Sequence, residues 1–499
     1  MVLGILQAVV SNYFPTQFAL HIAGGIVVAL FIRAFSQGRR TNRERDLHAR
    51  TILVTGGFTP LGLTLLQSLA QRGAHIIALS PDPIDSANVT ILISLLRTTT
   101  SNEQIFAEHC DLTSPSSVRS FCTKFLTGKE QRLDAILFAH EYKHIGSPNI
   151  FSTSSVDVDQ KTRDSGSLTT FLISTLLLPA LLVAPVERDI RIINVVNPFY
   201  AAAAGVPFSP SFSYELSSPT SSSLFLREGH RSLRTVVFTR HLQRVLDALP
   251  TATQVPRTEE GTSAVPVVNS RVQKSNITTA SVSPGISRVD TISPLLNADW
   301  TSSFGYSYLG MILYLTFQPL LRLFTKSPTA AMQTILHALF LPTPFKVLAQ
   351  ATPGTTEKKD TKSQGPIEAS HLEMPEEVLR PGSLYADCAV VQVKVKMPDE
   401  LLEEKHSRQD VKTHPKDSGK AKGKPSLQEE VLEIADDGEY GGELGGRLVW
   451  EACERALKIW EKENPGPPPE ETPRPQSNPQ ATATRPLESV KEEEPESVY

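Results

Sequence analysis

Between residues 51 and 283, short apolar stretches alternate with longer stretches of helical pattern. The apolar stretches are continuous and rich in β-branched residues, as strands buried on both faces of a parallel sheet are. Strands are predicted at 51–54, 75–79, 104–110, 135–138, 190–196 and 276–282. Helices are predicted at 63–72, from about 115, at 168–183 and at about 224–249. This alternation predicts an α/β fold with a doubly wound parallel sheet.

Short motifs follow the ends of these predicted strands. They are T-G-x-x-x-x-x-G from Thr55, D-L-T from Asp111, I-I-N-V from Ile192 and S-P-G from Ser283. In this order they resemble the motifs of the short-chain dehydrogenase/reductase superfamily, which implies a Rossmann-like fold. Segments 326–338, 381–388 and 448–451 resemble its retinol-dehydrogenase-like branch and a related fungal family of unknown function. The resemblance covers roughly residues 50 to 460, interrupted by insertions.

The resemblance implies a site for NAD or NADP beside the turn after the first strand. The residues implied are Thr55, Gly56, Gly62, Asp82 and Asp111. Glycines in such a turn let backbone N–H groups approach the pyrophosphate at a helix N-terminus. Pro60 stands at the middle glycine of the family pattern, and its ring has no N–H and crowds the cofactor, although proline suits a first helical turn. We therefore expect the turn to support the fold but to bind NAD or NADP poorly.

Catalysis in this superfamily needs a Tyr with a Lys four residues later on the same helix face, together with a Ser and an Asn. None of the 10 tyrosines has a Lys four positions on. With the helix aligned on residues 239–240, the Tyr and Lys positions fall on Glu228 and Ser232. The Ser position after the fifth predicted strand reads Val196-Asn197-Pro198. The sequence therefore predicts a catalytically inactive or strongly divergent member.

Three other residues are candidates for substitute acid–base chemistry: Glu228, His230 and Tyr200. The alternative is that residues 227–231 form a solvated helix start. No metal site is predicted, because the 4 cysteines are far apart and contain no C-x-x-C; we expect scattered buried thiols. A net charge of −4 argues against a nucleic-acid partner.

An apolar run at residues 17–35 precedes the α/β region and predicts a transmembrane helix, since about 20 apolar residues cross a bilayer core. No Lys or Arg precedes the run; Arg33 stands near its end, and Arg39, Arg40, Arg43 and Arg45 follow it. By the positive-inside rule the main domain is cytosolic. A cleaved signal peptide would carry its charge before the run. We expect a single-pass protein of the endoplasmic reticulum or another internal membrane, with a buried core helix as the alternative.

The remaining segments are assigned from composition and pattern. They are a short N-terminal segment 1–16, a basic linker 36–50, the domain 51–350 with a loop insertion 250–275, a linker 351–381, a closing strand segment 382–397, a disordered insertion 398–440, a terminal helix 441–463 and a disordered tail 464–499. Residues 304–324 suit a membrane-surface helix, a lid over an apolar cleft, or core packing.

Two functions are compatible with these features of the sequence. The first is a membrane-anchored binding or scaffolding module without catalysis, whose partners are the lipid bilayer and a lipid or protein ligand. The second is an active NAD(P)-dependent oxidoreductase that acts on a lipid or other apolar substrate through non-standard residues. The missing Tyr–Lys pair and Pro60 favour the first.

Overall fold

The computed structural model describes residues 19–128, 132–151, 156–185, 188–214, 223–249, 275–299, 305–343, 377–398, 434 and 436–466, without the side chains of 156–159. The predicted N-terminal segment 1–16 lies outside these residues. All but the ends of the loop insertion 250–275, the linker 351–381, the insertion 398–440 and the tail 464–499 lie outside them too. The domain limits that depend on these segments stay predictions.

A mostly parallel sheet forms the centre of the molecule. Its strands are β1 (Thr51–Thr55), β2 (His75–Ser80), β3 (Ile105–His109), β4 (Ala135–Phe138), β5 (Ile190–Val195), β6 (Ile277–Ser283), β7 (Leu384–Ala386) and β8 (Ala389–Val391). They are arranged in the order β3-β2-β1-β4-β5-β6-β7-β8, and only β7 and β8 pair antiparallel. The predicted Rossmann-like parallel sheet is confirmed, and each predicted strand corresponds to one of β1 to β6.

The described residues also form helices, several of which pack on the two faces of this sheet. They are α1 (Ala19–Ser36), α2 (Pro60–Ala70), α3 (Ala87–Thr100), α4 (Pro115–Thr127), α5 (His140–Lys143), α6 (Val156–Leu182), α7 (Tyr200–Ala203), α8 (Leu224–Ala248), α9 (Ser293–Leu295), α10 (Tyr308–Thr316), α11 (Gln318–Phe324), α12 (Pro328–Phe340) and α13 (Gly442–Glu463). A π-helical turn, Arg288–Ile292, precedes α9, and a 3-10 turn, Glu439–Gly441, precedes α13.

The apolar core has two parts, one on each face of the sheet, and each part is covered by its own helices. One core lies under α2, α3 and α12, and the other lies under α4, α6, α8 and α13. Burial of strand residues on both faces accounts for the continuous apolar stretches in the sequence. The order of the strands reverses between β1 and β4, and at such a point the carboxyl ends of the strands open a crevice.

The helices differ in what their apolar residues contact. Among the described residues, only residues 160–182 are long and apolar enough to cross a membrane, and 67% of the apolar window is buried, as in a core helix. The N-terminal helix α1 is shorter, and its apolar side chains are exposed. The alternative of a buried core helix for residues 17–35 is therefore wrong for the described part of that run.

Candidate functional site at the carboxyl edge of the sheet

The glycines of the turn after β1 are required by close packing. Gly56 has φ +68°, and a Cβ atom there would lie 2.7 Å from the Cα atom of His140, the first residue of α5. A Cβ atom on Gly62 would lie 2.7 Å from the carbonyl carbon of Gly57. A side chain at either position would displace backbone. The glycine pattern is thus explained by the contact of the turn with α2 and with the end of β4.

The first turn of α2 has its N–H groups already bonded within the chain. Pro60 has no N–H, Leu61 donates to Asp290 Oδ1 at 3.2 Å, and Gly62 donates to Thr59 Oγ1 at 3.0 Å. Asp290 is fully buried in the π-helical turn after β6 and also accepts from Ser287 Oγ at 3.1 Å. Burial raises the pKa of Asp290 above its ordinary value of 3.8. A carboxyl group of the chain therefore occupies the N-terminus of this helix.

These residues do not fit the pyrophosphate of NAD or NADP. A pyrophosphate at a helix N-terminus is held by backbone N–H groups that have no other partner. At Pro60, Leu61 and Gly62 the donor is absent, bonded to Asp290, or bonded to Thr59. A cofactor would have to displace Asp290 from this position.

The structure places the other implied cofactor residues at the ends of three neighbouring strands. Thr55 is buried at the end of β1, with Oγ1 2.7 Å from Nδ1 of His140. Asp82 follows β2 and is exposed. Asp111 follows β3, and its carboxylate accepts from the N–H and Oγ1 of Thr113 at 2.9 and 2.8 Å. Thr55 is therefore tied to α5, and Asp111 to its own turn.

The replaced catalytic positions lie together on the other side of the crevice. Glu228 is 2% exposed near the start of α8, and Asn197, which follows β5, donates from Nδ2 to Glu228 Oε2 at 3.3 Å. Ser232 lies one helical turn later and donates from Oγ to the carbonyl oxygen of Asn197 at 3.4 Å. The alternative of a solvated helix start at 227–231 is wrong for Glu228, because α8 presents this residue to the interior.

Four donors surround the buried carboxylate of Glu228. Oε1 contacts Arg163 Nε at 2.9 Å and accepts from the N–H of Gly146 at 3.2 Å. Oε2 contacts Arg231 Nη2 at 2.9 Å and accepts from Asn197 Nδ2. A carboxylate has about four lone-pair sites, so each of them faces a donor. Glu228 therefore has no lone pair left with which to take a proton from a substrate.

The side chains of His230 and Tyr200 have other surroundings than the carboxylate of Glu228. His230 lies two residues later on α8, with its ring 6.3 Å from that of Phe208, and burial lowers its pKa. Tyr200 begins α7 against the core, and burial raises its pKa, to which the nearby charge of Asp387 adds. No hydrogen bond among the described residues joins either side chain to Glu228. The structure thus does not unite the three candidates in one acid–base site.

Two residues that shape this site were missed in the sequence. Arg163, on α6, pairs with Glu228 across 65 positions of the chain, and no local pattern marks such a contact. Asp290 does have a local signal, because Ser287-x-x-Asp290 has the spacing of a helix-capping box. That signal predicts the bond between Ser287 and Asp290, but not the bond to Leu61.

The four cysteines, Cys110, Cys122, Cys388 and Cys453, are free and buried, as expected. Burial raises the pKa of the Cys110 and Cys122 thiols to about 12, which keeps both protonated and unreactive. The described residues contain no group of His, Cys, Asp and Glu side chains that could hold a metal ion.

Comparisons with known proteins identify a matching family model and several similar proteins. Residues 50–141 match the family model described as KR domain. The chain is similar to an uncharacterized oxidoreductase of Saccharomyces cerevisiae, with 28% identity over 62% of this chain and 72% of that protein. It is similar to Retinol dehydrogenase 12 of Homo sapiens, with 23% identity over 62% of this chain and 79% of that protein. A metagenomic short-chain oxidoreductase solved with NADP aligns at 14% identity over 49% and 84% of the two chains, with a TM-score of 0.33.

Proposed function

The chain belongs to the short-chain dehydrogenase/reductase superfamily, and from this membership we propose that it is a membrane-anchored, non-catalytic member that acts as a binding or scaffolding module. The observation that carries the proposal is the buried cluster of Arg163, Glu228 and Arg231 at the catalytic positions. The family places there a Tyr and a Lys that supply a proton to the reacting oxygen. This chain has an ion-paired carboxylate in their place.

The energetics of proton transfer support the proposal. A positioned general acid or base contributes typically about 10²–10⁴-fold to a reaction rate. Glu228 could act as a base only after breaking a bond to Arg163, Arg231 or a neutral donor, and both guanidinium groups are themselves buried or nearly so. Separating buried charges costs several kcal/mol, on the order of the 3–5 kcal/mol measured when one partner of such a pair is removed. The cluster therefore favours a structural role.

Helix α1, which we call the anchor, supports the membrane part of the proposal. The 18 residues of α1 extend about 27 Å at 1.5 Å per residue, close to the roughly 30 Å of a bilayer core. Arg33 stands in its last turn, and further arginines follow at once. This one-sided charge favours a cytosolic α/β domain, with the endoplasmic reticulum as the expected membrane.

An active oxidoreductase is the second candidate function. The name of Retinol dehydrogenase 12 of Homo sapiens identifies a long apolar alcohol as the substrate of a relative. If this chain shared such chemistry, Asp290 would have to leave the first turn of α2, and a residue other than Tyr would have to protonate the substrate. The substrate class would then be a lipid or another apolar alcohol or ketone.

Equilibrium binding of NADPH and NADH to the purified full-length chain in detergent tests the proposal. We expect no binding below about 1 mM, the upper end of ordinary KM values, and no reduction of retinaldehyde above background. Pro60→Gly combined with Asp290→Ser frees the first turn of α2 and should lower the Kd at least about tenfold, which is 1.4 kcal/mol. Pro115→Gly, the same change at the first residue of α4, is the matched control and should leave binding unchanged.

The turnover measurement decides between the two functions. The second function, an active oxidoreductase, would be correct if the wild-type protein reduces the substrate robustly and Glu228→Gln abolishes this activity. The variant must keep an unchanged circular dichroism spectrum. Tight binding of NADPH without turnover would leave the non-catalytic proposal standing but would contradict the role given to Asp290.

A further inference from the structure

Helices α10 and α11, which follow β6, expose their apolar side chains. Only Gly310 is buried in α10, and no residue is buried in α11. The exposed large side chains are Tyr308, Leu309, Ile312, Leu315, Phe317, Leu320 and Phe324. Core packing of this segment is therefore excluded for its described residues. Residues 308–324 contain no Asp or Glu, and Arg322 is the one charged residue.

Helix α11 is bonded to the C-terminal end of α1. Ser36 Oγ donates to the carbonyl oxygen of Leu323 at 2.8 Å, and Arg33 Nη1 donates to that of Thr325 at 3.1 Å and also to that of Arg322. These contacts fix the position of α11 relative to α1. The apolar surface of α11 thus adjoins the end of the anchor at which the arginines begin.

The apolar surface of α1 continues that of α10 and α11. The exposed large side chains of α1 are Leu20, Ile22, Ile26, Val27, Val28, Leu30, Phe31 and Phe35. Single exposed apolar residues are ordinary, but a continuous apolar patch on packed elements marks a surface that contacts lipid or another protein. Arg33 lies in the last turn of α1 and donates to the end of α11, and Arg39, Arg40 and Arg43 follow it in the sequence. Basic residues next to an apolar segment favour contact with anionic headgroups.

We propose that α10 and α11 insert into the cytosolic leaflet of the bilayer beside α1, where they contact phospholipid acyl chains. The two helices have 9 and 7 residues, or about 14 and 10 Å, so they are too short to cross and would lie in the interfacial layer. The carboxyl edge of the sheet would then face the membrane, because Lys326, just after α11, donates from Nζ to the carbonyl oxygen of Pro284, just after β6, at 2.9 Å. This inference rests on the anchor of the proposed function.

Tryptophan fluorescence in brominated vesicles tests the inference with the full chain. Ile312→Trp on α10 is compared with Val27→Trp on α1 and with Ile91→Trp on α3; Ile312 and Ile91 are each 63% exposed. Each protein is reconstituted in phosphatidylcholine–phosphatidylserine vesicles with or without dibrominated phosphatidylcholine, and the wild-type emission is subtracted. We expect about a twofold loss of emission for Ile312→Trp and Val27→Trp, since interfacial helices reach about 5–10 Å into the lipid. Ile91→Trp should lose none.

The three variants separate this inference from the anchor itself. Quenching at Val27→Trp without quenching at Ile312→Trp would leave the anchor intact and overturn the inference. A blue-shifted but unquenched Ile312→Trp emission would mean that a second copy or a lid contact covers α10, and would overturn it too. Quenching at Ile312→Trp alone would support the lipid contact and contradict the anchor, and quenching at neither position would overturn both.

Discussion

The crevice at the carboxyl edge of the sheet and the surface of α1, α10 and α11 depart from ordinary burial in opposite directions. In the crevice, Glu228, Arg231 and Asp290 are charged or ionisable and buried, whereas on α10 and α11 the large apolar side chains are exposed. Buried charges in folded proteins are paired, and extended apolar patches have partners. The carboxylates of Glu228 and Asp290 have partners within the chain, whereas the large apolar side chains of the helical surface lie in the open. The surface of α1, α10 and α11, more than the crevice, is therefore where this protein has apolar contacts left to make.

The largest loss of stability is expected at Glu228, whose carboxylate has four hydrogen-bond or ion-pair partners in the crevice. Glu228→Ala leaves Arg163 and Arg231 without their carboxylate in a buried site, and we expect it to lower the free energy of unfolding by about 3–5 kcal/mol. Ser232→Ala, one helical turn away on the same helix, removes one bond of 3.4 Å and should cost no more than about 1 kcal/mol. Urea unfolding of the two variants measures both values. Equal small losses would mean that the crevice is not held by this cluster.

A smaller effect is expected at the glycines of the turn after β1. Alanine normally stabilises a helix relative to glycine, by roughly 0.5–1 kcal/mol. At Gly62, however, the Cβ atom would meet backbone of Gly57, and we expect Gly62→Ala to destabilise the protein by about 1–3 kcal/mol. Gly57→Ala is the matched control: its Cβ atom would meet the flexible end of Leu66 at 3.1 Å. A stabilised Gly62→Ala protein would show that the turn keeps free space, as a nucleotide loop would.

The smallest effect concerns pH and tests whether the crevice behaves as protein interior. His140 is buried between Thr55 and Gly166, and burial lowers its pKa below the ordinary 6.5. Between the lowered pKa and 6.5 the unfolded chain binds the extra proton, so the stability that neutral His140 contributes is present above pH 6.5 and is lost as pH falls.

Melting temperatures from pH 7.5 to 4.5 measure this dependence in the wild type and in His140→Gln. We expect a shallower slope in the variant. His241, whose pKa burial lowers to about 4, should supply part of the slope that remains. Identical slopes in the two proteins would indicate that water reaches His140, and the contrast between crevice and surface would weaken.

The sequence predicts the part of this fold that depends on local pattern. Strand β4 has the predicted bounds, 135–138, because the short apolar run between Asp134 and His140 leaves little choice of register. Helix α6 begins at Val156, although only 168–183 is predicted, because its first turns bury polar residues such as Asp164 and Ser165 and lack an apolar period. Burial that depends on distant polar partners gives no periodic signal.

At the candidate site, only the departures from the family motifs can be predicted from the sequence. The absence of a Tyr–Lys pair and the presence of Pro60 can be read from the chain directly. The bond from Leu61 to Asp290 joins residues 229 positions apart, and it forms because β1 and β6 bring both to one edge of the sheet. Spacing along the sequence carries no information about such a bond.

The bonds between the end of α1 and the segment after α11 have a consequence for the order of events during synthesis. Gln37 accepts from the N–H of Ser327, 290 positions later, and the N–H of Thr41 donates to Gln333, 292 positions later. At about 5–20 residues per second, a ribosome needs roughly 15–60 s to extend the chain from the first partner to the second. Helix α1 is therefore synthesised well before α11 and α12. It must be positioned without the contacts that these helices make with it in the folded protein.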